Sequence, residues 1–185
     1  MGKGYVINEN GEILRGDYFA TSVKEEKPQP LPCNRKAWVM FLLNVVTLGI
    51  YAVIIWFAMG KETNISCSND GKHTKGFWAT LGLSIITLGI YFIVWVIQWM
   101  KRETDFLRDR KESAIITGGA YILLTIVNVI ITYVLAFNEL PIAQIIVNYA
   151  ISFALLFFVI KKHNRVNEIY NLEHFPENMK EVKKG

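Results

Sequence analysis

Three histidines and two cysteines are the residues from which metal or nucleophile chemistry would have to be built. His73, His163 and His174 stand far apart in polar stretches, and Cys33 and Cys67 form no Cys-x-x-Cys pair. None has a second ligand at the spacing that a tetrahedral metal site uses. The sequence also lacks the Gly-x-x-x-x-Gly-Lys-Ser/Thr phosphate loop, the Gly-x-Gly-x-x-Gly turn and the His-Glu-x-x-His zinc motif. An enzyme needs titratable groups converging in a pocket, and none is visible. The chain therefore reads as a non-enzyme with no catalytic residue, no metal and no cofactor, its cysteines two unpaired thiols.

The remaining candidates are uncharged polar residues embedded in apolar sequence. Four blocks, 37–59, 77–100, 114–137 and 141–160, contain no Asp, Glu, Lys, Arg or His. Within them lie Asn44 and Ser84, Thr47 and Thr87, Gly49 and Gly89, Tyr51 and Tyr91, and the pair Asn128 and Asn148. Such residues can hydrogen-bond between membrane helices, each for about 0.6 kcal/mol. They could equally line a polar path for a small solute at the bilayer midplane. A proton-coupled path is disfavoured, because it would need ionisable groups inside the blocks.

The elements that carry these residues follow from block length. A helix needs roughly 20 residues to cross a hydrocarbon layer of about 30 Å. The blocks are about that long and apolar on every face, whereas a soluble helix needs only an apolar stripe. The expected fold is an all-α integral membrane bundle of four segments. A polar arm with a proline-rich linker (1–34) precedes the membrane domain (35–162), and a basic tail (163–185) follows. Within the arm, Tyr5-Val6-Ile7 and Glu12-Ile13-Leu14 flank an Asn-Gly, which is a β-hairpin signal. The first block starts too late for the apolar core of a signal peptide, so it is expected to act as an uncleaved insertion signal. Trp38, Trp56, Trp78 and Trp99 lie near block ends, as in an interfacial aromatic belt.

Residues 38–61 align without a gap on residues 78–101, an offset of 40. Thr47-Leu48-Gly49-Ile50-Tyr51 recurs as Thr87-Leu88-Gly89-Ile90-Tyr91, and Trp38, Leu43 and Lys61 match Trp78, Leu83 and Lys101. A fainter third copy is read at 114–121. Glycine in mid-segment permits a kink, a close helix approach or a bend. Either the first two blocks span as kinked helices, or each turns back at its Thr-Leu-Gly. Four spans are the favoured reading, with the hairpin kept as its alternative.

Basic residues collect before the first block, between the second and third, and after the fourth, which places both termini in the cytoplasm. The loop 60–76 carries Lys61, Lys72 and Lys75, an awkward set for an external loop. Lys161, Lys162 and Arg165 follow the last block and suit anionic lipid headgroups. Elsewhere bases alternate with acids, as in Lys101-Arg102-Glu103-Thr104-Asp105, so nucleic-acid binding is not expected and that stretch reads as a solvated helix.

The duplicated Thr-Leu-Gly-Ile-Tyr, with Trp38 and Trp78 ahead of it and Lys61-Glu62-Thr63-Asn64 behind, resembles the DUF4234 family of uncharacterised bacterial membrane proteins. That resemblance implies a bacterial cytoplasmic membrane and contributes no catalytic residues. The functional expectation is a non-enzymatic membrane module acting through self-association or a protein partner. The alternative is a small solute or ion transporter built on opposed repeats.

Overall fold

The computed structural model describes residues 5–7, 13–15 and 28–177. Strand β1 (Tyr5–Ile7) pairs antiparallel with β2 (Ile13–Arg15), with Val6 opposite Leu14. The Asn-Gly turn expected between them and residues 178–185 of the expected basic tail lie outside the described residues. Six α-helices follow: α1 (Ala37–Val46), α2 (Ile50–Ser66), α3 (Phe77–Ile86), α4 (Ile90–Asp109), α5 (Gly118–Phe137) and α6 (Pro141–His174).

The first two apolar blocks are each split at the repeated pentapeptide. Thr47 ends α1, Leu48 and Gly49 take left-handed φ values of 51° and 92°, and α2 begins at Ile50. The second copy repeats this, with Leu88 at 51° and Gly89 at 88°. Two successive left-handed residues stop a right-handed helix and send the chain back, which a kink would not do. The return is seen at the bases. Arg35, just before α1, pairs with Glu62 near the end of α2, and Trp95 Nε1 of α4 donates to the Lys75 carbonyl before α3 at 2.9 Å.

Each residue of the pentapeptide has a role in that reversal. Glycine is required because its φ lies where an L side chain is strained. The threonine hydroxyl joins the two helices. Thr47 Oγ1 donates to the Leu43 carbonyl at 2.7 Å and accepts the Tyr51 N–H at 3.0 Å. Thr87 does the same with Leu83 and Tyr91, at 2.8 and 2.9 Å. The other N–H groups of the turn go to Leu43, Val45, Asn44 and Thr47 carbonyls, so every N–H from Thr47 to Tyr51 has an acceptor.

Block four and block three form a longer hairpin. Its turn also has an i−5 bond, Leu140 N–H to Leu135 O at 3.1 Å, and one left-handed residue, Glu139 (φ 56°). Pro141 opens α6, where its missing N–H is harmless. Helix α5 starts at Gly118, capped by Thr117, whose Oγ1 accepts the Ala120 N–H at 3.2 Å. The threonine of the fainter third copy thus starts a helix where Thr47 and Thr87 end one, and no turn forms there. Helix α6 runs through to His174, well into the region expected to be a tail.

Among the described residues two helices, α5 and α6, are long and apolar enough to cross a membrane, in place of the four expected. Helices α1 and α3 have 10 residues each, about 15 Å at 1.5 Å per residue. The core lies where the second helices of the hairpins meet, around Met59, Trp95, Trp99, Met100 and Val159. Trp99 is fully buried rather than interfacial, and its Nε1 donates to Thr63 Oγ1 at 2.8 Å. Trp38 and Trp78 remain exposed.

The turn bonds generate a direct comparison. Thr87→Val leaves the Tyr91 N–H without its acceptor and should cost about 1–3 kcal/mol. Thr87→Ser keeps the hydroxyl and should recover most of that. Thermal unfolding in detergent measures both, and equal melting temperatures for the two variants would contradict this role.

Candidate functional site

Immediately past the apolar part of α2, α4 and α6, charged residues converge instead of pointing to solvent. Glu103 of α4 is fully buried, and its Oε1 lies 2.6 Å from His163 Nδ1 and 3.0 Å from the Thr63 hydroxyl. His163 of α6, also fully buried, presents Nε2 to Glu62 Oε2 of α2 at 2.9 Å. Glu62 in turn holds Arg35, with Nη1 donating to Oε2 at 2.7 Å. On the far side, buried Lys162 lies 3.8 Å from Glu103 Oε2 and donates to the Met100 carbonyl at 2.7 Å. The result is a chain of alternating charge, Arg35, Glu62, His163, Glu103 and Lys162, that clips three helices together.

The electrostatics follow from that alternation. Burial opposes charge on His163, but the two carboxylates outweigh it and hold the imidazole above its ordinary value of 6.5. Burial likewise pushes Glu62 up, yet His163 and Arg35 bring it down to about 2. Glu103 is lowered by His163 and Lys162 against the same burial. Burial lowers Lys162, with Glu103 partly restoring it. Beside the hub, burial raises the Cys67 thiol to about 12, so it is a poor nucleophile.

Two further polar systems brace the hub. Arg102 donates through Nε to Asp70 Oδ2 at 2.7 Å and through Nη1 to Asn64 Oδ1 at 2.6 Å and Thr74 Oγ1 at 2.7 Å, tying the loop after α2 to α4. Asn164, Asn167 and Asn171 share one face of α6 and bond residues 31–35. Asn171 Nδ2 donates to Leu31 O at 2.6 Å, Asn167 Nδ2 to Pro32 O at 2.8 Å, and Asn164 Nδ2 to Arg35 O at 2.8 Å. The linker is thereby zipped onto the end of the last helix.

The embedded polar residues sit elsewhere. Asn44, Tyr51, Asn128 and Asn148 line one cavity of about 510 Å³ between the first hairpin and α5–α6. There Asn128 Nδ2 donates to Asn148 Oδ1 at 3.2 Å, and Ser152 Oγ donates to the same oxygen. Thr47 and Gly49 belong to the turn beside it. Ser84, Thr87, Gly89 and Tyr91 lie on α3–α4 and do not line this cavity. Of the headgroup candidates, Lys161 is exposed, Arg165 pairs with Glu112 and Glu168, and Lys162 is wholly buried in the hub. Lys162 is therefore not available to lipid. Burial of Arg102 and Glu103 likewise corrects the solvated helix expected at 101–110.

Glu62, Glu103, His163, Arg102 and the α6 asparagines are the residues that sequence reading passed over. Their signal was positional: Lys61-Glu62-Thr63, Lys101-Arg102-Glu103 and Lys161-Lys162-His163 each begin where an apolar stretch ends. Three such clusters at equal height in a bundle must meet.

The model of a family described as a domain of unknown function, DUF4234, matches residues 35–77 and 75–160. The chain belongs to the DUF4234 family. No curated protein and no solved structure matches it. In this DUF4234 chain the matched region holds both pentapeptide turns and the hub residues Arg35, Glu62 and Glu103, while Lys162 and His163 lie just beyond it. Among the described residues no group of three His, Cys, Asp or Glu is arranged to hold a metal ion.

Breaking a buried ion pair leaves a stranded charge and costs about 3–5 kcal/mol. Glu103→Gln should show that loss, while Asp105→Asn, at a partly exposed pair, should stay within about 1 kcal/mol. The hub also sets the pH profile. The raised His163 contributes stability that is complete below 6.5 and disappears as pH rises through its folded value. The lowered Glu62 contributes stability present above 4.5 and lost as pH falls toward about 2. Melting temperature against pH should therefore fall on the alkaline side in the wild type. His163→Gln should be less stable and lack that limb, and an unchanged limb would contradict the assignment.

Proposed function

We propose that this DUF4234 chain is a non-enzymatic scaffold of the bacterial cytoplasmic membrane, shaped as a wedge. In this reading α5 and α6 cross the bilayer, whereas the α1–α2 and α3–α4 hairpins enter from the cytoplasmic side and turn back near its midplane. The observation that carries it is the common orientation of the hairpins. All three have their open ends at the one charged hub, and the turns at Leu48 and Leu88 project from it almost fully exposed, at 92% and 93%. The flanking Val46, Ile50, Ile86 and Ile90 are exposed and apolar as well. An apolar tip whose N–H groups from Thr47 to Tyr51 are satisfied suits hydrocarbon, where an unsatisfied group costs several kcal/mol. The arms, about 15 Å long, reach half of a core about 30 Å thick. Both termini, and the basic loop 60–76 with them, then share the cytoplasmic side.

Six helical arms would displace lipid in the hub-side leaflet and two in the other. A cross-section that unequal favours membrane curved toward the narrow side's relief, which makes membrane shaping the activity to test. Helix α3 packs chiefly on α4 and leaves Trp78, Leu81 and Ile85 exposed, a face on which another copy or a membrane partner can assemble. A transporter on opposed repeats needs its two copies to point in opposite directions. Glu62 and Glu103, at the ends of the two copies, instead reach the same histidine.

The wedge is tested by reconstituting purified protein into vesicles of mixed diameter. Protein density per unit membrane area should differ systematically with vesicle diameter, and Leu48→Asp with Leu88→Asp should weaken insertion of the hairpins and flatten the dependence. Density independent of diameter in the wild type would contradict membrane shaping.

A further inference from the structure

The cavity of about 510 Å³ between the first hairpin and α5–α6 has a lining that the scaffold reading does not use. Its walls are Met40, Phe41, Ile55, Trp56, Leu155 and other apolar or aromatic side chains, and no Asp, Glu, Lys, Arg or His faces it. Into this lining project the amides of Asn44, Asn128 and Asn148. The volume falls in the range of about 300–1,000 Å³ typical of ligand pockets, and apolar walls with a few convergent polar groups are their usual chemistry.

Two of the amides are incomplete. Asn128 is only 9% exposed, yet its Oδ1 is buried without a hydrogen-bond partner, and so is the Oδ1 of Asn44. Asn148 Oδ1 accepts both Ser152 Oγ and Asn128 Nδ2, and with Asn128 turned that way its own oxygen is left without a partner. A buried acceptor left unmade costs about 1–3 kcal/mol. Neither oxygen receives a donor, although the hydroxyls of Tyr51, Tyr121 and Tyr149 also line the cavity.

We propose that this cavity binds an uncharged, hydroxyl-bearing lipid, such as a diacylglycerol or a long-chain alcohol. The hydroxyl donates to Asn128 Oδ1 or Asn44 Oδ1, and the chain lies along Phe41, Ile55, Trp56 and Leu156. Depth selects the class. Asn44 is seven residues into α1 and Asn128 ten into α5, about 10 and 15 Å from the hub end. A phosphate carried to that depth would lose its hydration with no cation to meet it, whereas a hydroxyl loses little once paired. The proposal rests on the membrane placement given above but not on the wedge.

The test uses full-length protein in nanodiscs and two photoactivatable probes with the same acyl chains, a diacylglycerol and a phosphatidic acid. The diacylglycerol probe should label segments 121–128 and 148–156, with competition by unlabelled diacylglycerol and not by phosphatidic acid. Asn128→Leu should reduce the competed labelling by about fivefold or more, and Asn44→Leu, on a different hairpin, should lower it too if the first variant does not fold. Labelling of residues 46–50 and 86–90 by either probe reports membrane placement separately. Overturning results are equal labelling of the cavity segments by both probes, labelling unchanged in folded variants, or none there while the turn tips are labelled. The first two mean an acyl-chain crevice, and the last means that water alone completes the amides.

Discussion

A peptide turn that cannot reach water has to find every hydrogen-bond partner within itself. That constraint explains the one stretch of this sequence that occurs twice. Reversal of a helix frees N–H groups on the returning strand, and carbonyls of the outgoing helix take most of them. Thr47 Oγ1 and Thr87 Oγ1 take one more, the N–H of Tyr51 and Tyr91. Leucine held at a left-handed φ of 51° costs about 1–2 kcal/mol, and in both copies its side chain points outward, almost fully exposed. The third turn uses Asn138, Glu139 and Pro141 in place of that motif. Its N–H groups from Asn138 to Leu140 also find carbonyls, but its polar side chains suit a surface that water reaches.

The opposite constraint operates at the other end of the hairpins. Charges that end an apolar helix normally reach solvent, but here three sets meet and are buried by one another. Each of Glu62, Glu103 and His163 would be costly alone, and the alternation of sign makes the set self-consistent. Apolar tips and a charged base fix which way each hairpin points. The geometry of the cavity beside Asn128 depends on this as well, because the first hairpin forms one of its walls.

Much of this was legible in the sequence. Apolar blocks without a charge gave the helical class, the strands of the arm followed from alternation around an Asn-Gly, and Asn128 was expected beside Asn148 across a short turn, where their amides do bond. The reversal at Gly49 and Gly89 was visible only as an alternative, since a glycine inside an apolar run reads equally as a kink. What decides between them is the pairing of Arg35 with Glu62, a contact across 27 residues that no local pattern displays. Lys162 and His163 were assigned to a surface because charge after an apolar helix usually marks one. Their burial depends on the equal heights of three helices, a property of the assembled bundle. The third copy was misplaced because Thr117 caps a helix start with the same hydroxyl that elsewhere closes a turn.

The most direct measurement compares the sidedness of three single cysteines, Lys72→Cys, Ser113→Cys and Asn138→Cys, each in a chain with Cys33→Ser and Cys67→Ser. All three positions are exposed, unlike Cys67, whose burial would block reaction from either side. Intact cells are treated with a membrane-impermeant maleimide, with permeabilised cells as the reference. The hairpin account predicts that Lys72→Cys and Ser113→Cys are protected together and that Asn138→Cys alone is labelled. Labelling of Lys72→Cys together with Asn138→Cys, with Ser113→Cys protected, would mean four spanning helices and would contradict the account.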